Sequence, residues 1–254
     1  MAKLSHRFGP ELGGLLCLIV FFALVEWMIR MTWINPFLVP KPSEIVMAFG
    51  RIIAEEGVLG RFAVTMGEAG MASLLVACIG IPLGVLLHSK RVLRLAVEPW
   101  VGALAAAPIV LAYPLFLVIF GRSPWTIIVI GLLSGLPPLV LMTIDGLQRV
   151  PASFIKVGQS LRMTRGPLFW KIMFPAALPS IFSGLRIGLI FALINVVGVE
   201  FLINFGGLGP LINELAERYD LPGTYAAICF VVLVSIVVFL ILERLEKWLG
   251  PNKH

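Results

Sequence analysis

RVPASFIKVGQSLRMTRGPLFWKIMFPAALP, residues 149–179, is basic, amphipathic and bounded by prolines, and a long apolar run lies on either side of it. Pro151 and Ser153 mark a helix start. Phe154, Val157, Leu161 and Leu168 recur near helical spacing, with Lys156, Arg162 and Arg165 on other sides. Thr164-Arg165-Gly166-Pro167 reads as a break, with Pro167 opening a second short helix that Pro175 ends. Two uses suit such a segment: a basic helix held against anionic lipid, or one that docks a protein.

The surrounding chain is apolar. Of 254 residues, 59% are hydrophobic and 13% charged, with a mean hydropathy of +1.00. That composition cannot supply the mixed charged surface of a soluble domain, so lipid is the expected solvent. Six runs, at about 12–29, 63–87, 97–120, 126–144, 179–203 and 224–242, are long enough to cross a hydrocarbon core as helices of roughly 20 residues. The alternation of a barrel strand is missing. The predicted fold is all-α: a polytopic integral membrane protein with six transmembrane helices. The first run begins like a secretory signal, with Lys3 and Arg7 ahead of it, but no small-residue cleavage site follows. Glu26, Trp27 and Arg30 then suggest an uncleaved helix reaching an interface.

Basic residues stay on the cytoplasmic side of a membrane. With the N-terminus inside, the inner loops and tails hold Lys3, Arg7, Lys90, Arg91, Arg94, the whole 149–171 basic set, Arg244, Lys247 and Lys253, so both termini are expected in the cytoplasm. The net charge of +6 then sits mostly beside anionic lipid, and nucleic acid is not needed to explain it. Cys17, Cys78 and Cys229 lie far apart in apolar runs and read as small buried hydrophobes, and His6, His88 and His254 are equally scattered. No HExxH, GxSxG or GxxxxGK[ST] pattern occurs, so no catalytic residue and no metal ligand is expected, and any ATP hydrolysis belongs to another polypeptide.

Between the first two runs, Pro40-Lys41-Pro42-Ser43 precedes Ile45, Val46, Phe49, Ile52 and Ile53 at helical spacing, with Ser43 as the expected N-cap of a short helix on the outer surface. It is either a contact for an external partner or a connector. Pro99, Pro108, Pro114, Pro137 and Pro138 predict bends in the third and fourth runs. In the fifth, Arg186, Leu193, Val197 and Glu200 share one face, and Gly184, Gly188 and Asn195 the opposite one. The glycine face is expected to pack inside the bundle, with Asn195 bonded to a neighbouring helix. The other face is left for a pathway or a dimer interface. Arg186 and Glu200 are about 21 Å apart along the helix and cannot pair with each other. Arg186 can snorkel to headgroups, whereas Glu200 is either a pathway or gate residue or the partner of a cation on another helix.

Gly166, Phe169, Pro175, AALPSIFSGLRIGL from 176, Glu200 and Gly207-Leu208-Gly209 resemble the membrane subunits of ABC-type importers, especially the nitrate, sulfonate and taurine permease group. Pro40 to Glu44, IGIPLG at 79–84, Pro108, Pro114-Leu115 and Phe120-Gly121 extend the resemblance over most of residues 38–245. It implies that about 152–174 is a coupling helix seated in a groove of an ATP-hydrolysing subunit, through Phe154, Lys156, Val157, Gly158, Leu161, Arg162, Arg165, Gly166 and Phe169. Three positions depart from the family's pattern: Lys156 stands where glutamate is usual, Arg162 where glycine is usual, and Glu68 where a basic residue is frequent.

The expected organisation is an N-terminal span and outer helix over 1–62 and a permease core over 63–254. The resemblance implies a bacterial inner-membrane permease for a small anionic or polar organic solute. Its partners would be ABC ATPase subunits carrying ATP and Mg, a second permease chain, an extracytoplasmic solute-binding protein and membrane lipid. The chain itself would hold no cofactor. The alternative is a secondary transporter using Glu26, Asp145 or Glu200 as an ion-coupling carboxylate.

Overall fold

A computed structural model describes residues 2–249, with side chains over 16–246, and every regular element in that range is helical. In chain order these are α1 (Ala2–Arg30), α2 (Pro42–Glu55), α3 (Val58–Ser89), α4 (Arg91–Ala106), α5 (Tyr113–Phe120), α6 (Pro124–Gln148), α7 (Ala152–Ser160), α8 (Arg165–Leu168), α9 (Phe174–Ile203), α10 (Leu208–Glu217) and α11 (Leu221–Leu249). A 3-10 turn, Ile109–Ala112, leads into α5, and a π-turn, Phe169–Met173, joins α8 to α9.

Four helical stretches among the described residues are long and apolar enough to cross a membrane: α3, α6, the 165–203 rod and α11. A fifth span is possible if α4 and the Ile109–Phe120 segment count as one, although they meet at 90°. The apolar run expected at 97–120 is therefore broken. Proline disfavours a helical residue before it, and Ala107, just ahead of Pro108, is extended (φ −77°, ψ 136°). The bend expected at Pro137-Pro138 does not break α6, which runs continuously from 124 to 148. The first expected run falls in α1. Lys3, Arg7, Lys247 and Lys253, on which the expected orientation of the tails rests, lie outside the described side chains, as do His6 and His254.

The chain divides into two compact units, one of residues up to 59 with 211–231, the other of 60–210 with 232 onward. In the first unit Lys41, not Ser43, caps α2. Pro42 occupies the first turn, where no N–H is needed, and the Glu44 carboxylate accepts from the Lys41 backbone N–H and ammonium, both at 3.1 Å. Those two bonds hold the Glu44 carboxyl below its usual range. Ser43 instead donates to Glu26 through its N–H (3.2 Å) and hydroxyl (3.1 Å), and Arg30 pairs with the same carboxylate at 2.6 Å. Further along, Arg51 pairs with Asp220 at 2.5 Å and Arg218 with Glu56 at 2.9 Å.

The second unit is built on α6. Its buried face takes α9 antiparallel and α3 parallel, because glycine notches let the backbones approach. A Cβ on Gly135 would sit 2.5 Å from the Gly188 carbonyl oxygen, and one on Gly84 would meet the Thr143 Cβ at 2.6 Å. Ile127, Ile130, Ala192, Val196 and Val199 fill the space at one end, and Leu139, Leu147, Ala177 and Ile181 at the other. The cysteines are not buried in the chain as expected: Cys17 and Cys78 are exposed and Cys229 is half-buried.

The residues in left-handed conformation show how these helices end. Thr32, Arg162, Asn204 and Tyr219 all have φ between 49° and 60°, and each stands one or two places past the end of a helix whose last carbonyls it and the next residue cap. For α7 the bonds run from Arg162 N–H to Gln159 O (2.9 Å) and from Met163 N–H to Gly158 O (3.0 Å). For α9 they run from Asn204 N–H to Phe201 O (3.4 Å) and from Phe205 N–H to Glu200 O (3.2 Å).

Candidate functional site

Two regions of the second unit carry the residues singled out in the sequence. The first is the elbow at 151–175. Helix α7 starts after Pro151 as predicted, and Phe154, Val157 and Leu161 lie on its outer side, 51%, 58% and 65% exposed. Lys156, Arg162, Arg165 and Gly166 are exposed around them. Gly158, on the inner side of α7, is buried, and a Cβ there would strike the Leu168 side chain and come within 2.7 Å of Ile172. Phe169 is half-buried, packed against Trp170 and Phe174 with ring centroids 5.2 and 5.9 Å away, and belongs to the cluster around Leu147 and Val150. The elbow is thus anchored through Gly158, Leu168 and Phe169 and shows an apolar face rimmed by cations.

Pro175 does not end the second short helix. Helix α8, the π-turn and α9 form one continuous rod over 165–203. The Phe174 N–H bonds back five residues to the Phe169 carbonyl, and this wider turn accommodates Pro175 at the start of α9. An unbroken helical path therefore joins the elbow to the far end of α9.

The second region is the far end of α9. Glu200 is fully buried, and its Oε2 accepts from the Thr65 hydroxyl and from the Gly209 N–H, both at 3.0 Å. The Leu208 N–H donates to the Thr65 oxygen at 2.9 Å. Thr65 Oγ1 has one proton and lies farther from the Arg61 carbonyl, at 3.3 Å, so Glu200 is its better acceptor. Both N–H groups belong to the first turn of α10, where backbone donors have no helical partner. Gly207 and Gly209 have no room for a side chain: a Cβ on Gly209 would lie 2.5 Å from that of Glu200. Arg122 donates to the Asn204 carbonyl beside this clamp.

The two faces expected of α9 are not divided as predicted. Gly184 and Gly188 do pack inward, but Leu193 is also buried and Val197 half-buried, so the face shared with Glu200 is not free. Helix α9 packs over much of its circumference, which two-face reasoning from one helix cannot foresee. Asn195 bonds to its own helix, Nδ2 to the Phe191 carbonyl at 2.9 Å, and borders a cavity of about 110 Å³ with Ala107, Pro108 and Ser134. Arg186 pairs with Glu246 at 2.8 Å and stacks over Phe239. Of the other carboxylates weighed for ion coupling, Glu26 is held by Arg30 and Ser43, and Asp145 pairs with Arg149 at 2.8 Å in an exposed position. Sequence reasoning missed Thr65, which is 135 positions from its partner and carries no local signal. Glu68, one turn further along α3, is buried on the same side.

Residues 78–251 match the family described as "Binding-protein-dependent transport system inner membrane component". The chain is 28% identical over 229 residues to the formylaminopyrimidine transport permease protein ThiX of Halalkalibacterium halodurans, covering 90% of this chain and 91% of the relative. It is 24% identical to the taurine transport system permease protein TauC of Escherichia coli, covering 98% and 91%. In fold it is similar to a chain of the MetNI methionine ABC transporter solved in an inward-facing conformation, with a TM-score of 0.67 at 19% identity, covering 76% of this chain and 96% of that one.

Proposed function

This chain belongs to the family of binding-protein-dependent transport system inner membrane components and is the permease of an ABC importer, not an enzyme; on that premise we propose how its two ends divide the work. The 151–175 elbow docks in a groove of a separate ATPase subunit on the cytoplasmic side. Nucleotide binding there pushes the elbow, and the continuous rod of α8, the π-turn and α9 carries the displacement to the clamp around Glu200. Two such chains, or this one with a related chain, line the pathway. An extracytoplasmic binding protein delivers the solute at the clamp end, while both termini stay in the cytoplasm of a bacterial cell. The chain contributes two conformations whose balance the ATPase shifts through differential contacts.

The relatives are named for formylaminopyrimidine, nitrate, taurine and aliphatic sulfonates, which supports a small anionic or polar organic solute. The observation that carries the docking reading is the exposure of Phe154, Val157 and Leu161 on a helix anchored from below at Gly158. Large apolar side chains rimmed by cations, held rigidly, suit a protein groove. The test is purification of the tagged chain from its native operon, then the same with Phe154→Asp plus Val157→Asp. Recovery of an ATPase with the wild type and its loss with the double variant is the expected result. A wild-type particle that contains no nucleotide-hydrolysing chain overturns the reading.

A further inference from the structure

We propose that Glu68 and Glu200 bind a single proton between them, and that this proton completes the clamp on the Gly207–Gly209 turn. Glu68 is 6% and Glu200 0% exposed, and their carboxyls face each other. Glu200 Oε2 is engaged by Thr65 and Gly209, yet Glu200 Oε1 and Glu68 Oε2 are buried with no donor in reach. Both groups close on the bare face of Gly206, where a Cβ would lie 3.1 Å from Glu200 Cγ and 3.1 Å from Glu68 Oε2. The pair thus meets over a single glycine.

Two ionised carboxylates can only accept hydrogen bonds, so they cannot satisfy each other, and two like charges buried side by side repel strongly. One proton resolves both difficulties. It makes one carboxyl a donor to the other and leaves a single negative charge, which the two donors to Oε2 stabilise on Glu200. The charged groups on the surrounding segments are Arg61, one turn before Thr65 on α3, and Arg122, whose guanidinium donates to the Asn204 carbonyl; α6 faces the pair with Ile127. A metal ion is a poorer occupant. Calcium and magnesium take six or more oxygen ligands and zinc four ligands drawn from Cys, His and carboxylates, and no group of three His, Cys, Asp or Glu placed to hold a metal exists among the described residues.

Infrared spectra of the full-length chain, purified in lipid nanodiscs with the chains that accompany it, test this without requiring transport. The wild type at neutral pH is compared with Glu68→Gln, which donates an amide hydrogen bond, and Glu68→Arg, which supplies a counter-ion. A carbonyl band of un-ionised carboxylic acid in the wild type, lost in both variants, supports the shared proton. If neither variant accumulates, a wild-type band that fades as pH is raised, at unchanged helix content, supports it, and a band indifferent to pH overturns it. The absence of the band at neutral pH, its persistence in either variant, or its loss on exchanging choline chloride for sodium chloride at constant ionic strength also overturns the proposal. The last result assigns the pair to a metal cation.

Discussion

Helices α7 and α9 end in the same backbone device, a left-handed residue followed by two reversed hydrogen bonds, yet their surroundings are opposite. At Asn204 the capped end sits beside a closed network in which Thr65, Glu200 and the first turn of α10 satisfy one another. At Arg162 the capped end carries an open apolar face that no described residue covers. One end of the rod is tied to α3 and α10 by these bonds, and the other leaves 51–65% of three large apolar side chains uncovered. A region whose side chains and backbone amides bond to one another holds shape. A rigid region with apolar surface to spare is where a second molecule can gain binding energy.

If the clamp holds shape, damage there should lower stability, with the largest effect at Gly209. Gly209→Ala forces a methyl group against the Glu200 side chain and the adjacent backbone, neither of which can move without opening α9. The expected loss is about 3 kcal/mol, read as a drop in the thermal midpoint of the purified protein. Thr65→Val should follow at about 2 kcal/mol, because it leaves the buried Leu208 N–H without an acceptor and removes one donor from Glu200. A Thr65→Val protein as stable as the wild type would show that the clamp is not a unit.

The elbow should respond in the opposite manner. Phe154→Asp with Val157→Asp alters exposed positions only, so the thermal midpoint should stay within about 0.5 kcal/mol of the wild type. Recovery of the ATPase should fall about tenfold or more, equivalent to roughly 1.4 kcal/mol of lost docking energy. A large stability loss in this variant would erase the contrast between the two ends of α9.

What was legible in the sequence follows the range of the interactions. The spans α3, α6, α9 and α11 were visible because each is a local apolar run, and the start of α7 because Pro151 and the spacing of Phe154, Val157 and Leu161 are local too. Gly184 and Gly188 gave away one packing face, since only close backbone approach explains small residues four apart there. The 90° bend at Pro108 was signalled only as a bend, because a proline fixes its neighbour's conformation and not the angle between two helices. Pro175 misled, since a π-turn removes the conflict that makes proline a helix stop. Thr65 and its two backbone donors were invisible because the network closes across 135 residues, and no periodicity encodes that distance. Ser43 was expected to cap α2, but Glu26, 17 residues away, takes both of its donors.

The smallest expected effect bears on why the two caps differ in residue type. Asn204 is suited to a left-handed cap, since asparagine tolerates positive φ better than most side chains. Arg162, with φ of 52°, is not, and the Cβ crowding of that conformation amounts to about 1 kcal/mol relative to glycine. The side chain is exposed, so no packing among the described residues offsets the strain. Arg162→Gly should therefore raise the thermal midpoint by an amount equivalent to a few tenths to about 1 kcal/mol, the flexibility of glycine in the unfolded chain recovering part of the strain relief. If arginine is kept there for a contact with the ATPase, the same variant that gains stability should bind the partner more weakly. A variant that gains stability and docks as well as the wild type would place the docking energy on Phe154, Val157 and Leu161 alone.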